Sequence, residues 1–359
     1  MSLRDRIRGL LGFFRRTERS VPKHSRDPID HVVLVDGTMS VLDDGQETNV
    51  GLVYKLLSEA ARTANVSIIY EAGNQWTDWS RTLDIIEGRG INRQIRRAYG
   101  WLATRYRPGD RIFLIGFSRG AYAVRSLAGV IDRIGLLTQE NATERMIRDA
   151  YRHYQLDTDP ETCAEFAKSY CHAETPVEAV AVFDTVKALG FRAPFVWKWE
   201  EVKHAFHNHH LGPSIRHGFH ALALDENREA FQPVLWECKD DWEGHVEQVW
   251  FRGAHGDIGG QITGYLAARP LSNIPLTWML SRLEACALPL PDNWRERFPT
   301  DPDAPWVGTW HGWGKYFLAR KKRVVGVDRS EAIHPSVKDR AEKFGLPVAP
   351  SEARIATVV

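Results

Sequence analysis

One serine stands between two glycines in Gly116-Phe117-Ser118-Arg119-Gly120, a spacing that suits a nucleophile. A serine hydroxyl is a weak nucleophile at neutral pH. It needs a base, usually histidine, and that histidine needs a carboxylate to fix its tautomer. Two later positions supply these groups in the order Ser, Asp, His. Asp184 follows the aliphatic run "AVAVF", and His255 follows "QVWFRGA". Gly253, Gly256, Gly259 and Gly260 around His255 allow a loop to bend the imidazole towards the serine. Asp225 in "HALALDENREAF" is the alternative acid, although Glu226 and Arg228 nearby allow a salt bridge or cap to account for it. Asp257 reads as ordering the glycine-rich loop.

Acyl transfer also needs donors for a tetrahedral oxyanion. The backbone N–H of Arg119, directly after the serine, is one candidate, and Gly37 and Thr38 of "VDGT" offer a second. Asp36 could instead serve a phosphate or metal site of the haloacid type. That chemistry wants a second aspartate two residues on, where this chain has Thr38.

These groups require particular elements beneath them. Ile112 to Ile115 is short, bulky and aliphatic, as a buried strand would be. From Ala121 the apolar residues Val124, Leu127, Ala128 and Ile131 recur at helical spacing. A strand, a sharp turn and a helix make a nucleophile elbow, in which Gly116 and Gly120 remove side chains that would collide. With 28 glycines in the chain, composition yields on the order of 0.1 chance matches, so the flanking context carries the reading. The competing account is a strand-to-helix turn whose serine only caps the helix.

The rest of the chain repeats the strand–helix alternation. "HVVLVDGT", "VSIIYEAG", "PVEAVAVFDTV", "FQPVLWE" and "VEQVWFRGAHGD" read as strands. "NVGLVYKLLSEAARTA", "INRQIRRAYGWLATRY" and "LSNIPLTWMLSRLEA" read as helices. Residues 141–173 read as a polar helical insertion, and residues 191–217 as irregular. This is the pattern of a mostly parallel sheet flanked by helices with helical insertions, the α/β class. Residues 27–350 are expected to form a single domain.

Composition narrows the function classes. The 359 residues are 43% hydrophobic, enough for a large core, and a formal net charge of +1 gives no field directed at nucleic acid. Cys163, Cys171, Cys238 and Cys286 have no metal spacing and read as free thiols. His204, His207, His209, His210, His217 and His220 cluster without the spacing of a zinc site, so no metal and no cofactor is expected. No signal peptide or transmembrane segment is expected, which favours a cytoplasmic location.

Residues 1–26 read as a basic amphipathic segment and linker. Leu3, Ile7, Leu10, Leu11 and Phe14 share one helical face, and Arg4, Arg8, Arg15 and Arg16 take much of the rest. Such a helix lies at a membrane interface or packs on its own domain, so residues 1–16 are a candidate for peripheral membrane contact.

Taken in order, "VDGT", "YEAG", "GRGINRQIRRAYGWL", "FLIGFSRGAYAVRSLAG", "AVFDTVKALG", "HALALDENREAFQPVLW", "VWFRGAHGDIGG", "LSNIPLTWM" and "IHPSVKDR" resemble the catalytic domain of the type VI secretion phospholipase effectors and the related uncharacterised hydrolases. The resemblance runs from about residue 30 to about residue 345. It implies an α/β-hydrolase fold, with Ser118 as nucleophile, Asp184 as acid and His255 as base. For some members it also implies cleavage of glycerophospholipid acyl esters. Met39 and Ser40 after Thr38, and Gly256 and Gln261 after His255, depart from the usual motifs.

The expected activity is that of a serine hydrolase of lipid or phospholipid esters working through an acyl-enzyme. The alternatives are a weakly active scaffold that binds lipid or a protein partner, and a metal-dependent phosphoesterase.

Overall fold

The computed structural model describes residues 26–73, 89–186, 210–238, 242–310 and 318–344. Its strands are aliphatic runs because both faces of the sheet are covered. β1 (Asp30–Val35), β3 (Arg111–Phe117) and β4 (Val177–Phe183) are buried almost throughout. With β2 (Val66–Glu71), β5 (Ile215–Ala223), β6 (His245–Phe251) and β7 (Glu331–Ile333) they form one sheet in the order β2-β1-β3-β4-β5-β6-β7. Every pairing is parallel.

Alternate residues of each strand supply two different cores. Val32, Leu34, Phe113, Ile115, Phe117 and Phe183 pack with α1 (Asn49–Ala60) and α7 (Arg269–Ala285). Val33, Val35, Ile112, Leu114, Val180 and Val182 face α2 (Arg89–Ala103), α3 (Arg119–Ile134) and α4 (Glu144–Gln155). The expected insertion after α3 is α4 followed by α5 (Pro160–Tyr170). Asp159 caps α5 with Pro160 in its first turn. Two short elements complete the set, α6 (His255–Gly259) and α8 (Pro335–Phe344).

The chain leaves β1 for β2 at one edge and returns to β3 on the other side of β1. Strand order therefore reverses between β1 and β3, and their carboxyl ends flank the crevice where open α/β sheets bind ligands. The loop after β1 carries Gly37 and Thr38, and β3 ends at Phe117, directly before Ser118.

Three assignments change. "FQPVLWE" is not a ladder strand: it touches Val186 through one bridge at Pro233 and otherwise runs beside the sheet. β5 enters the sheet through residues expected to be irregular or left unassigned, and the three-residue β7 was not anticipated. Of the basic amphipathic segment and linker expected over residues 1–26, residues 1–25 lie outside the described residues. Among the described residues no helix is long and apolar enough to cross a membrane.

Candidate active site

Ser118 joins β3 to α3 with φ 59° and ψ −122°, a conformation that costs a residue with a Cβ about 1–3 kcal/mol. The packing around it leaves little alternative. A Cβ on Gly116 would lie 2.7 Å from the Ala121 Cα, and one on Gly120 would lie 2.1 Å from the Val35 carbonyl oxygen. The helix can fold back against β1 and β3 this closely only with glycine at both positions.

The Ser118 hydroxyl makes no capping bond to α3. It lies 2.8 Å from His255 Nε2, and His255 Nδ1 lies 2.6 Å from Asp184 Oδ2. An ionised carboxylate only accepts, so Nδ1 carries the ring proton and Nε2 accepts from the hydroxyl. The structure thus brings together three residues that are far apart in the chain, and all three are buried. The Phe117 and Phe231 rings pack on the imidazole at 4.8 and 4.9 Å between centroids. The His255 amide donates to Glu226 Oε2 at 3.1 Å, which fixes the start of α6.

Asp184 also has a positive φ, 40°, at the end of β4. Its Oδ1 accepts from the Ala223 amide at 2.9 Å and from Arg323 Nη1 at 2.5 Å. Arg323 Nη2 donates to Oδ2 at 2.9 Å, the same oxygen that faces His255. Burial alone would raise the pKa of this carboxyl. The Arg323 charge and the hydrogen bonds from His255 and Arg323 outweigh burial and hold it well below the usual carboxylate range.

The alternative acid is committed elsewhere. Asp225 accepts from Arg252 Nη1 at 2.7 Å and from the Gly253 amide at 2.8 Å. Burial raises its pKa against those contacts. Asp257 accepts from the amides of Ala254, Val307 and Gly308, so it ties two loops together.

On the oxyanion side, one candidate needs correction. The Gly37 N–H donates to its neighbour Asp36 Oδ1 at 2.6 Å, so it is not available to a substrate. Asp36 is spent on this loop: its Oδ2 accepts from Thr48 and Tyr70, both at 2.6 Å. Thr38 is the remaining member of the pair. Its hydroxyl accepts from Arg119, and its carbonyl accepts from Gln261 Nε2 at 2.9 Å. The Arg119 N–H opens α3, where no intrahelical carbonyl can reach it. Gly37 has another role: a Cβ there would lie 2.5 Å from the Phe117 ring, and one on Gly259 would lie 2.0 Å from the opposite edge of the same ring.

The described members of the histidine cluster, His210, His217 and His220, have separate partners. His204, His207 and His209 lie outside the described residues. His210 sits near the Glu237 carbonyl, and His217 stacks on Phe219. His220 is buried, and its Nε2 accepts from the Thr185 amide at 3.1 Å. Burial brings the His220 pKa down to about 3, so the ring stays neutral beneath the Asp184 loop. Among the described residues no group of His, Cys, Asp and Glu could hold a metal. All four cysteines are free thiols.

Arg323, Gln261 and Glu226 are the site-building residues that motif reasoning missed. Gln261 alone left a signal, since it departs from the expected motif.

Parallel strands in this order, helices on both faces and a strained serine at the end of β3 define an α/β-hydrolase fold. Within that class, the chain belongs to the family of the type VI secretion system phospholipase effector Tle1-like catalytic domain, whose model matches residues 30–282. It is 25% identical to the uncharacterized protein YEL023C of Saccharomyces cerevisiae, over 59% of this chain and 33% of that protein. Two solved structures are also similar. One is a Tle1 effector bound to the VgrG spike of a type 6 secretion system, with 19% identity and a TM-score of 0.37 over 66% of this chain and 52% of that one. The other is an uncharacterized protein from Pseudomonas aeruginosa, with 16% identity and a TM-score of 0.43 over 77% and 49%. The chain therefore spans a third of the curated relative and about half of each solved chain.

Proposed function

We propose that this chain is a serine hydrolase of carboxylic esters, with lipid or phospholipid esters as its substrate class. The observation that carries the reading is the hydrogen-bonded row from the Ser118 hydroxyl through His255 to Asp184, on a serine whose hydroxyl does not cap its helix. Family membership supports the lipid ester. In this reading the Ser118 Oγ–carbonyl carbon bond forms as His255 Nε2 takes the hydroxyl proton. The tetrahedral oxyanion then lies against the amide of Arg119, with the Thr38 loop as the second wall. Collapse breaks the ester C–O bond, and the imidazolium returns its proton to the leaving alkoxide. Water, deprotonated by the same nitrogen, releases the acid and frees Ser118. Asp184 keeps its charge throughout and stabilises the imidazolium.

If the substrate sits in a bilayer, the basic amphipathic segment of residues 1–16 supplies peripheral membrane contact. A fluorophosphonate probe tests the chemistry. The wild-type chain should gain one covalent adduct on Ser118, while Ser118→Ala should gain none and hydrolyse no ester. An unlabelled wild-type chain, or ester turnover surviving in Ser118→Ala, overturns the reading.

A further inference from the structure

The Arg323 side chain is buried completely, yet it lies in a run of basic residues, Arg320 to Arg323, beyond the segment that matches the family. All four of its terminal N–H groups have acceptors. Nη1 donates to Asp184 Oδ1 and the Ala223 carbonyl, and Nη2 donates to Asp184 Oδ2 and the Phe231 carbonyl. The guanidinium is thereby pinned to the end of β5 and to the residue whose ring covers His255. We propose that Arg323 is a positioning residue of this site, holding Asp184 in line with His255 and setting how far into acid the enzyme works. The proposal rests on the hydrolase reading above.

Two nitrogens, 2.9 and 2.6 Å from one carboxylate oxygen, stand close together, and one belongs to a permanent cation. A lone Asp184 would favour an extra proton on the imidazole. Paired with Arg323, it presents almost no net charge to the imidazole, and removing the guanidinium would leave an uncompensated carboxylate beside Nδ1.

The other charged groups around His255 are also matched. Glu226 is paired with Arg228 at 2.5 Å, and Asp225 is paired with Arg252. Asp257 accepts three amides, and His220 is neutral. Phe117 and Phe231 contribute no charge. Arg323 is thus the cation in contact with the oxygen that His255 uses.

The test follows kcat/KM against pH on a soluble short-chain ester for the full wild-type chain, Arg323→Met, Arg323→Gln and Arg323→Lys. Fluorophosphonate labelling is read in parallel. The uncharged variants should move the acid limb up by about one pH unit, a tenfold loss on that limb. Arg323→Lys should keep the limb in place but lower the plateau, because an ammonium retains the charge and loses the fork. A purely structural arginine would lower the plateau of every variant without moving the limb, and that result overturns the proposal. If neither uncharged variant folds in buffer alone, all four chains are compared in a stabilising osmolyte such as sucrose: an acid limb raised in the uncharged variants supports the role, and coincident limbs overturn it. Failure of wild-type labelling would sink the hydrolase reading itself. Normal labelling with coincident acid limbs would sink only the role of Arg323.

Discussion

Replacing Asp184 with asparagine keeps the shape of the side chain and removes one charge. The carboxylate faces four donors: the Ala223 amide and Arg323 Nη1 on one oxygen, His255 Nδ1 and Arg323 Nη2 on the other. An amide offers one oxygen and one NH2, so whichever way it turns, the NH2 meets donors. Turned towards Ala223, it strands that amide and one arginine N–H. Turned towards His255, it forces Nδ1 to accept and moves the ring proton to Nε2, where the serine needs a base. The second orientation resembles the wrong-tautomer state that lowers kcat about 10⁴-fold in serine proteases. Both orientations leave the Arg323 cation buried without its carboxylate, a loss of about 3–5 kcal/mol in stability.

The two effects separate experimentally. Short-chain ester turnover reads the first, and urea denaturation reads the second. Stability also carries a pH signature. The folded-state pKa of Asp184 is depressed, so its contribution is present above the unfolded value of about 3.9 and is lost as pH falls towards the folded value. The gap in stability between wild type and Asp184→Asn should therefore be large near neutrality and shrink below about pH 4. Turnover within tenfold of wild type would overturn the role of Asp184 as the acid, and a stability gap that does not change with pH would overturn its charged pairing with Arg323.

Asp225→Asn should lower turnover less than tenfold, because Asp225 bonds Arg252 and Gly253 and does not contact His255. Its cost should appear in urea denaturation, as about 1–3 kcal/mol from the weakened buried pair. Gly120→Ala should be far more damaging, since its Cβ would meet the Val35 and Asp36 carbonyl oxygens at 2.1 and 2.6 Å. We expect a destabilisation of about 3 kcal/mol or more and loss of fluorophosphonate labelling. Deleting residues 1–25, while keeping the Arg26 contact to Asp110, should leave short-chain ester hydrolysis nearly unchanged. Binding to anionic vesicles should fall, most at low salt, as co-sedimentation would show.

The parts of the site legible in the sequence are those set by local sterics. A serine between two glycines, after an aliphatic run and before a helical one, describes a turn whose geometry follows from five residues. Asp184 and His255 were legible for a related reason, as each stands just beyond a run of strand residues. β5 was not legible, because Arg216, His217, Gly218 and His220 interrupt its apolar pattern. Those polar residues are satisfied only by tertiary partners: Arg216 reaches Glu178 on β4 at 2.8 Å, and His220 serves the Thr185 amide. The reverse error came from "FQPVLWE", which has the composition of a strand. The N–H and carbonyl of Trp236 bond the side chain of Gln248, at 2.8 and 2.9 Å, in place of a neighbouring strand. Propensity could not reveal that substitution.

Arg323 marks the same boundary from the functional side. In "RKKRVV" its charge reads as part of a solvated basic face, the ordinary fate of such a run. Only the folded chain shows that it is buried against an aspartate 139 positions earlier. A chain ending at residue 282, where the family match stops, would retain Ser118, Asp184 and His255 and still lack the guanidinium. Asp184 would then keep the Ala223 amide and His255, and lose the cation that offsets its own burial. The segment matched by the family model is therefore shorter than the stretch that sets the electrostatics of the site.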